Sequence, residues 1–229
     1  MKKLLFIAIV AVSLGVNAQI EAGKLMISGS FGFNTTGGKT ESTVTAGGTT
    51  TTTTTDNPKT FGFNLLPQVG FMLSENLGIG LGMGYEFSKT SWTQSFGGAD
   101  RDMYSKSGTF YFAPFARYYK NTGEKAYAFG EFSMPIGVGS INSNSWDGTS
   151  NSLVDDDPTK TFSFGAHLSI GFNYFLNDKC ALEAKWAALQ FNSTSSKQEG
   201  TGYSNKSSDT YLGLGLDMTA FSVGLRIFI

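Results

Sequence analysis

The chain has 229 residues, with 17 Lys and Arg against 18 Asp and Glu, a balance that offers no basic surface for nucleic acid. Only 15% of residues are charged, against about 25% in ordinary soluble domains, while 29 glycines and 20 phenylalanines point to an apolar solvent on one side. Cys180 is the single cysteine, which excludes an internal disulfide, and no spacing of His, Cys, Asp or Glu demands a metal or a cofactor.

The first segment reads as a secretory signal. Lys2 and Lys3 precede an apolar run from Leu4 to Val16, and Val16-Asn17-Ala18 forms a small-residue cleavage site before Gln19. The run is too short for a membrane span, and no cysteine follows it for a lipid anchor. The expected organisation is a signal peptide over 1–18 and one domain over 19–229. The mature chain then has no stretch of 18 apolar residues, so a helical membrane protein is excluded.

From Lys24 onward, period-2 runs alternate with polar segments. Leu25, Ile27, Phe31 and Phe33 oppose Ser28, Ser30 and Gly32. Phe61, Phe63, Leu65, Val69 and Phe71 oppose Gly62, Asn64, Gln68 and Gly70. The third run, LGIGLGMGYEF, sets Leu77, Ile79, Leu81, Met83, Tyr85 and Phe87 against four glycines. The fourth places Phe110, Phe112, Ala116 and Tyr118 opposite Thr109, Tyr111 and Arg117. In the fifth, Phe132, Met134, Ile136 and Val138 oppose Glu131, Ser133 and Gly137. The sixth sets Phe162, Phe164, Leu168, Ile170, Phe172 and Tyr174 against Ser163, Gly165, His167, Ser169, Gly171 and Asn173. The seventh, ALEAKWAALQF, also fits a helix through Leu182, Trp186 and Leu189, and its neighbours make it a strand. The eighth starts at Tyr211 and resumes with opposite parity at Phe221, which predicts a β-bulge near Thr219-Ala220. Pro67, Pro114 and Pro135 fall inside runs and predict local bulges as well.

Short connections (74–76, 120–125, 176–179) alternate strictly with long polar ones (34–59, 89–107, 139–160, 192–208). The non-apolar face is Gly, Ser, Asn and Gln rather than the long charged side chains of a water-facing strand. Small residues suit the interior of an eight-stranded barrel, and lipid rewards the apolar face. Aromatics cluster at both ends of the runs, where girdles belong. The fold class is therefore all-β, an eight-stranded antiparallel transmembrane β-barrel in an up-and-down meander.

The ending FSVGLRIFI resembles the terminal-strand signal by which the barrel-assembly machinery recognises its clients, with Ser222, Gly224, Ile227 and Ile229 at the matching positions. The usual final aromatic is replaced by Ile229, and Phe228 stands one place early. With this ending, the whole mature chain resembles the outer-membrane β-barrel-domain family common in Bacteroidetes, porin-like small barrels of OmpA/OmpX-like architecture. The resemblance implies the outer membrane of a Gram-negative bacterium, contact with lipid and lipopolysaccharide, and a monomer.

The inward parity collects Glu86, Glu131 and Glu183 against Arg117, Lys185 and Arg226, with His167 nearby. Such charges demand mutual hydrogen bonding, either as a plug or as an ion path. His167, Ser169 and Glu183 resemble the catalytic set of the barrel enzymes that deacylate lipid A, although here the parity turns His167 and Ser169 inward. Among the loops, Thr49–Thr55 reads as a flexible tether, and Asp147 with Asp155, Asp156 and Asp157 as a solvated acidic loop or weak Ca²⁺ ligand set. Trp92, Trp146 and Tyr203 are candidates for contact with an unknown surface ligand. The expected function is a non-enzymatic surface or envelope role through the loops. The alternatives are a narrow channel for ions or small apolar solutes, and a lipid A-modifying enzyme using His167.

Overall fold

The computed structural model describes residues 20–200, 203–214 and 221–229. The signal peptide and the bulge near Thr219-Ala220 lie outside them. The strands are β1 (Leu25–Thr36), β2 (Lys39–Ala46), β3 (Thr49–Asp56), β4 (Lys59–Met72), β5 (Leu77–Phe96), β6 (Ala99–Asn121), β7 (Ala126–Ser133), β8 (Ile136–Asp147), β9 (Ser152–Asp155), β10 (Thr159–Phe175), β11 (Cys180–Gly200), β12 (Tyr203–Leu214) and β13 (Phe221–Phe228).

Antiparallel pairing runs in a ring from β1 through β4, β5, β6, the β7–β8 segment, β10 and β11 to β13. β13 returns to β1 through Met26↔Phe228, Ile27↔Ile227 and Ser28↔Arg226. With β7–β8 and β12–β13 each read as one interrupted segment, this is the expected eight-stranded meander. The outward face carries the alternating apolar residues, among them Met83 (54% exposed), Phe110 (64%), Phe172 (54%) and Val223 (60%). In its lower part closure gives the strands of the ring a neighbour on both sides, as hydrocarbon requires, whereas above Ser28 β1 pairs with β4 alone and β12 with β11 alone. At the hairpin end Phe63, Tyr85, Phe87 and Phe110 pack across β4, β5 and β6, with Tyr85 and Phe110 centroids 4.7 Å apart, as an upper girdle.

The seventh run is a strand, and its helical look has a cause. Leu168 pairs with Leu189 while Ser169 pairs with Ala187, so Ala188 is bulged out of the ladder. Outward parity passes from Leu182 and Trp186 to Leu189 and Phe191, which imitates helical spacing.

The predicted bulges at the prolines are absent. The register is the same on both sides of Pro67 and Pro114, and β7 and β8 keep one common register across Met134–Pro135. Proline removes a donor but not an acceptor. Met134 N–H still donates to the Pro114 carbonyl (3.0 Å) and Gly165 N–H to that of Pro135 (2.8 Å), so no extra residue is needed.

The long connections are hairpins rather than irregular loops. β5 and β6 pair without a break up to Phe96↔Ala99, and a spanning strand needs only about 9–11 residues, so half of each projects from the membrane. Gly97 and Gly98 turn this hairpin with φ of 60° and 82°, the left-handed pair that a two-residue turn requires. Thr49–Thr55, expected as a flexible tether, is β3, paired along its whole length with β2. β-branched threonine favours strands, and Thr43–Thr52 (3.1 Å) and Thr45–Thr50 (2.9 Å) share hydroxyl hydrogen bonds across the pair.

Candidate functional site

The lower bore holds most of the predicted interior charges in one lattice. Arg117 on β6 stands directly across from Glu131 on β7, donating from Nε to Oε2 at 2.8 Å and again from Nη2. Its Nη1 reaches across the bore to Glu183 on β11 at 2.5 Å. Arg226 on β13 also donates to Glu183 (2.7 Å from Nε), and its Nη2 reaches Gln68 on β4 at 3.3 Å, where Ser28 on β1 joins at 3.2 Å. Lys185 Nζ donates to Glu131 Oε1 at 3.2 Å. Two carboxylates and three cations from four strands thus share one lattice, and Arg117, Glu131 and Arg226 are at most 1% exposed. Charges so buried persist only when paired and hydrogen-bonded on several sides.

Beneath the lattice lies an apolar floor that alternation alone did not reveal. Met26, Met72, Phe115, Tyr119, Tyr127, Phe129, Phe175 and Phe228 point inward and are almost fully buried, with Ile20 against them. The Phe129 ring lies 3.9 Å from the Arg117 guanidinium carbon, so the cation rests on the floor through its π face. The signal was present in the parity: Phe129 shares its face with Glu131, and Phe115 with Arg117. The glycines of the alternating runs make this floor possible. A Cβ at Gly80 would strike both the Phe115 ring and the Val69 carbonyl, and one at Gly171 would strike the Phe129 ring and the Ala184 carbonyl. Each aromatic is the cross-strand partner of the glycine it covers.

Above the lattice the bore widens into a cavity of about 500 Å³, lined among others by Leu66, Glu86, Tyr111, Pro135, His167, Lys185 and Asn192. Two predicted members of the network belong here instead. Glu86 stays out of the lattice because it stands eight residues along β5 from Gly78, the partner of Arg117, roughly 27 Å of strand. It faces Tyr111. The His167 ring takes Asn192 Oδ1 through Nε2 at 2.8 Å. The Glu183 carboxylate is bonded to Arg117 and Arg226, and the His167 ring to Asn192.

The predicted assembly residues divide between faces: Ile227 and Ile229 are exposed outward, whereas Ser222 and Gly224 share the parity of buried Arg226. Phe228 belongs to the floor, 5.2 Å from Phe175 and 6.2 Å from Tyr119 between ring centroids.

At the cell-surface end the predicted acidic set does not converge on a cation; among the described residues no cluster of metal-binding groups occurs. Each aspartate has its own partner. The Ser150 side chain, with the Thr149 and Ser150 N–H groups that donate to Asp147, holds its carboxyl below the usual range. Asp155 accepts from the Tyr104 hydroxyl (2.6 Å), Asp156 from Ser143 and Ser145, and Asp157 from Tyr203. The bond to Asp155 pushes the Tyr104 phenol up from its ordinary value. Trp146 stacks on Phe96 at 5.3 Å with Arg101 over its ring, while Asn144 bonds the backbone at Tyr104 and Asp102. The hairpins are tied to one another.

Residues 17–187 match the family described as outer membrane protein beta-barrel domain. Among solved structures, the outer membrane protein OprG from Pseudomonas aeruginosa is similar over 93% of this chain and 99% of its own, at 14% identity and a TM-score of 0.53. Ail, the attachment invasion locus protein of Yersinia pestis, aligns over 91% of this chain and 99% of its own at 14% identity, with a TM-score of only 0.33. No curated protein matches. The likeness to OprG bears on the fold alone. Given the family match over most of its length and the closed ring of alternating strands, the chain belongs to the outer-membrane β-barrel domain family, proteins of the Gram-negative outer membrane.

Proposed function

We propose that this barrel is a non-enzymatic, non-conducting protein of the outer membrane that acts through its surface hairpins. The observation that carries the reading is the filling of the lower bore: a buried ion-pair lattice resting on an apolar floor. An eight-stranded barrel has just enough interior for side chains to fill, and in the lower half of this one they do so. The interlocked hairpins support the second half of the reading, since a surface held by cross-strand hydrogen bonds and an aromatic stack keeps its shape for a partner.

On this reading the barrel is a monomer that needs no cofactor. It is surrounded by lipid and lipopolysaccharide, and the assembly machinery reads its last strand through Ser222, Gly224, Ile227 and Ile229. Its surface ligand meets Trp92, Trp146 or Tyr203. Refolded protein inserted in a planar bilayer is expected to pass no current, with insertion verified by a heat-shifted band on gels. Steady, reproducible current steps from inserted protein would overturn the reading and turn Arg117, Glu131 and Arg226 into the walls of a channel.

A further inference from the structure

We propose that the cavity above the lattice is a binding site for a small zwitterion that enters from the cell-surface side, its cationic end on Glu86 and its anionic end on Lys185. The cavity lies above the lattice, with Glu131 and Lys185 of the lattice in its lining. Its lower boundary is the buried lattice and floor, and its volume of about 500 Å³ lies within the range of small-molecule sites.

The charges around it do not cancel where they stand. The lattice sets Arg117, Lys185 and Arg226 against Glu131 and Glu183, one cation in excess. Lys185 is the member that reaches the cavity: its side chain is 25% exposed, against 0% and 1% for the two arginines. One of its three donors goes to Glu131, which leaves donors for whatever occupies the cavity. The compensating negative charge is Glu86, on the same cavity wall system but higher along β5. Among the described residues no cation pairs with Glu86, whose ladder partners Asn64 and Thr109 and neighbour Tyr111 are all neutral.

The site therefore presents one unmatched charge of each sign within a bore where low dielectric strengthens both. A lone cation would satisfy Glu86 and leave the excess at Lys185 uncompensated; a lone anion would do the reverse. A zwitterion answers both and leaves the bore neutral. Its body would lie against Leu66, Ala113 and Pro135, while the bond from His167 to Asn192 already occupies that ring nitrogen. This inference stands apart from the surface-binding reading, since it concerns the lumen and not the hairpins.

The test is isothermal titration of the refolded chain in lipid nanodiscs, with empty discs as the blank and benzyldimethylammonium propanesulfonate as the probe, because neither of its charges titrates. Saturable one-to-one heat is expected. Benzyltrimethylammonium and propanesulfonate, each keeping one charge, should bind at least about tenfold more weakly. Glu86→Gln should weaken the zwitterion by a similar factor, whereas Glu41→Gln on the β2–β3 hairpin should not. Glu86 lies outside the lattice, and the heat-shifted band verifies that the variant folds. Absence of saturable binding, equal binding of the single-charge cation, or unchanged binding by a folded Glu86→Gln protein would each overturn the proposal.

Discussion

β6 passes through two different surroundings. Near its end Arg117 is fully buried, bonded to two carboxylates and laid on a phenylalanine ring. Near its start Tyr104 and Arg101 hold neighbouring hairpins through a hydroxyl, a backbone amide and an indole, mostly in reach of water. The same alternating strand thus serves a region where polar groups are taken almost wholly out of water and a region where water reaches most of the partners. Loss of one contact should be severe in the first and mild in the second.

The largest break should come from geometry. Gly80→Leu would drive a side chain into the Val69 carbonyl and the Phe115 ring, and no heat-shifted, folded band is expected on gels after refolding. Next is the lattice. Glu183→Gln removes a carboxylate shared by two buried guanidinium groups, and should lower the unfolding free energy in denaturant by about 3–5 kcal/mol. A change below about 1 kcal/mol would mean the lattice is hydrated and the contrast between the regions false. In the hairpins, Trp146→Ala loses the stack on Phe96 and the contact with Arg101, worth about 1 kcal/mol. The barrel should fold normally, with faster amide exchange confined to the tips of β5, β6 and β8.

The smallest effect is one of pH. Tyr104 is raised by its bond to Asp155, so its contribution is present below the ordinary tyrosine value of 10.0 and is lost as pH rises through the higher folded value. Amide exchange in β9 should quicken above that point in the parent, and be fast at all pH in Tyr104→Phe. Asp147 has the opposite sign: its carboxyl is depressed, so the turn at Thr149–Ser150 should loosen only as pH falls below the usual carboxylate range.

Much of the barrel was legible because one variable, parity, carries both burial and solvent. Leu77 to Phe87 faced lipid and Arg117, Glu131, Glu183, Lys185 and Arg226 faced inward, as alternation required. The floor escaped because the pattern was read as apolar-out alone. Phe115, Phe129 and Phe228 are apolar residues of inward parity, and only their positions beside Arg117, Glu131 and Arg226 mark them. The hairpins escaped for a different reason. Polar composition identifies a segment bathed in water but not its backbone, and the threonines of β3 are as polar as a tether while preferring a strand. Glu86 and Lys185 could be given a face by parity, but not a height in the bore, since height depends on the stagger of strands far apart in sequence.

Arg226 stands on the final strand, and its two neighbours in that ladder are β11 and β1, the first strand of the ring. Glu183 can meet Arg226 once β13 pairs with β11, whereas Gln68 on β4 gains its Arg226 donor only when the chain's two ends meet. Before that, the Gln68 amide and the Arg226 guanidinium face an open seam without each other. The last bond of the interior network and the last contact of the ring thus fall on the same residue, so closing the barrel also completes its polar core.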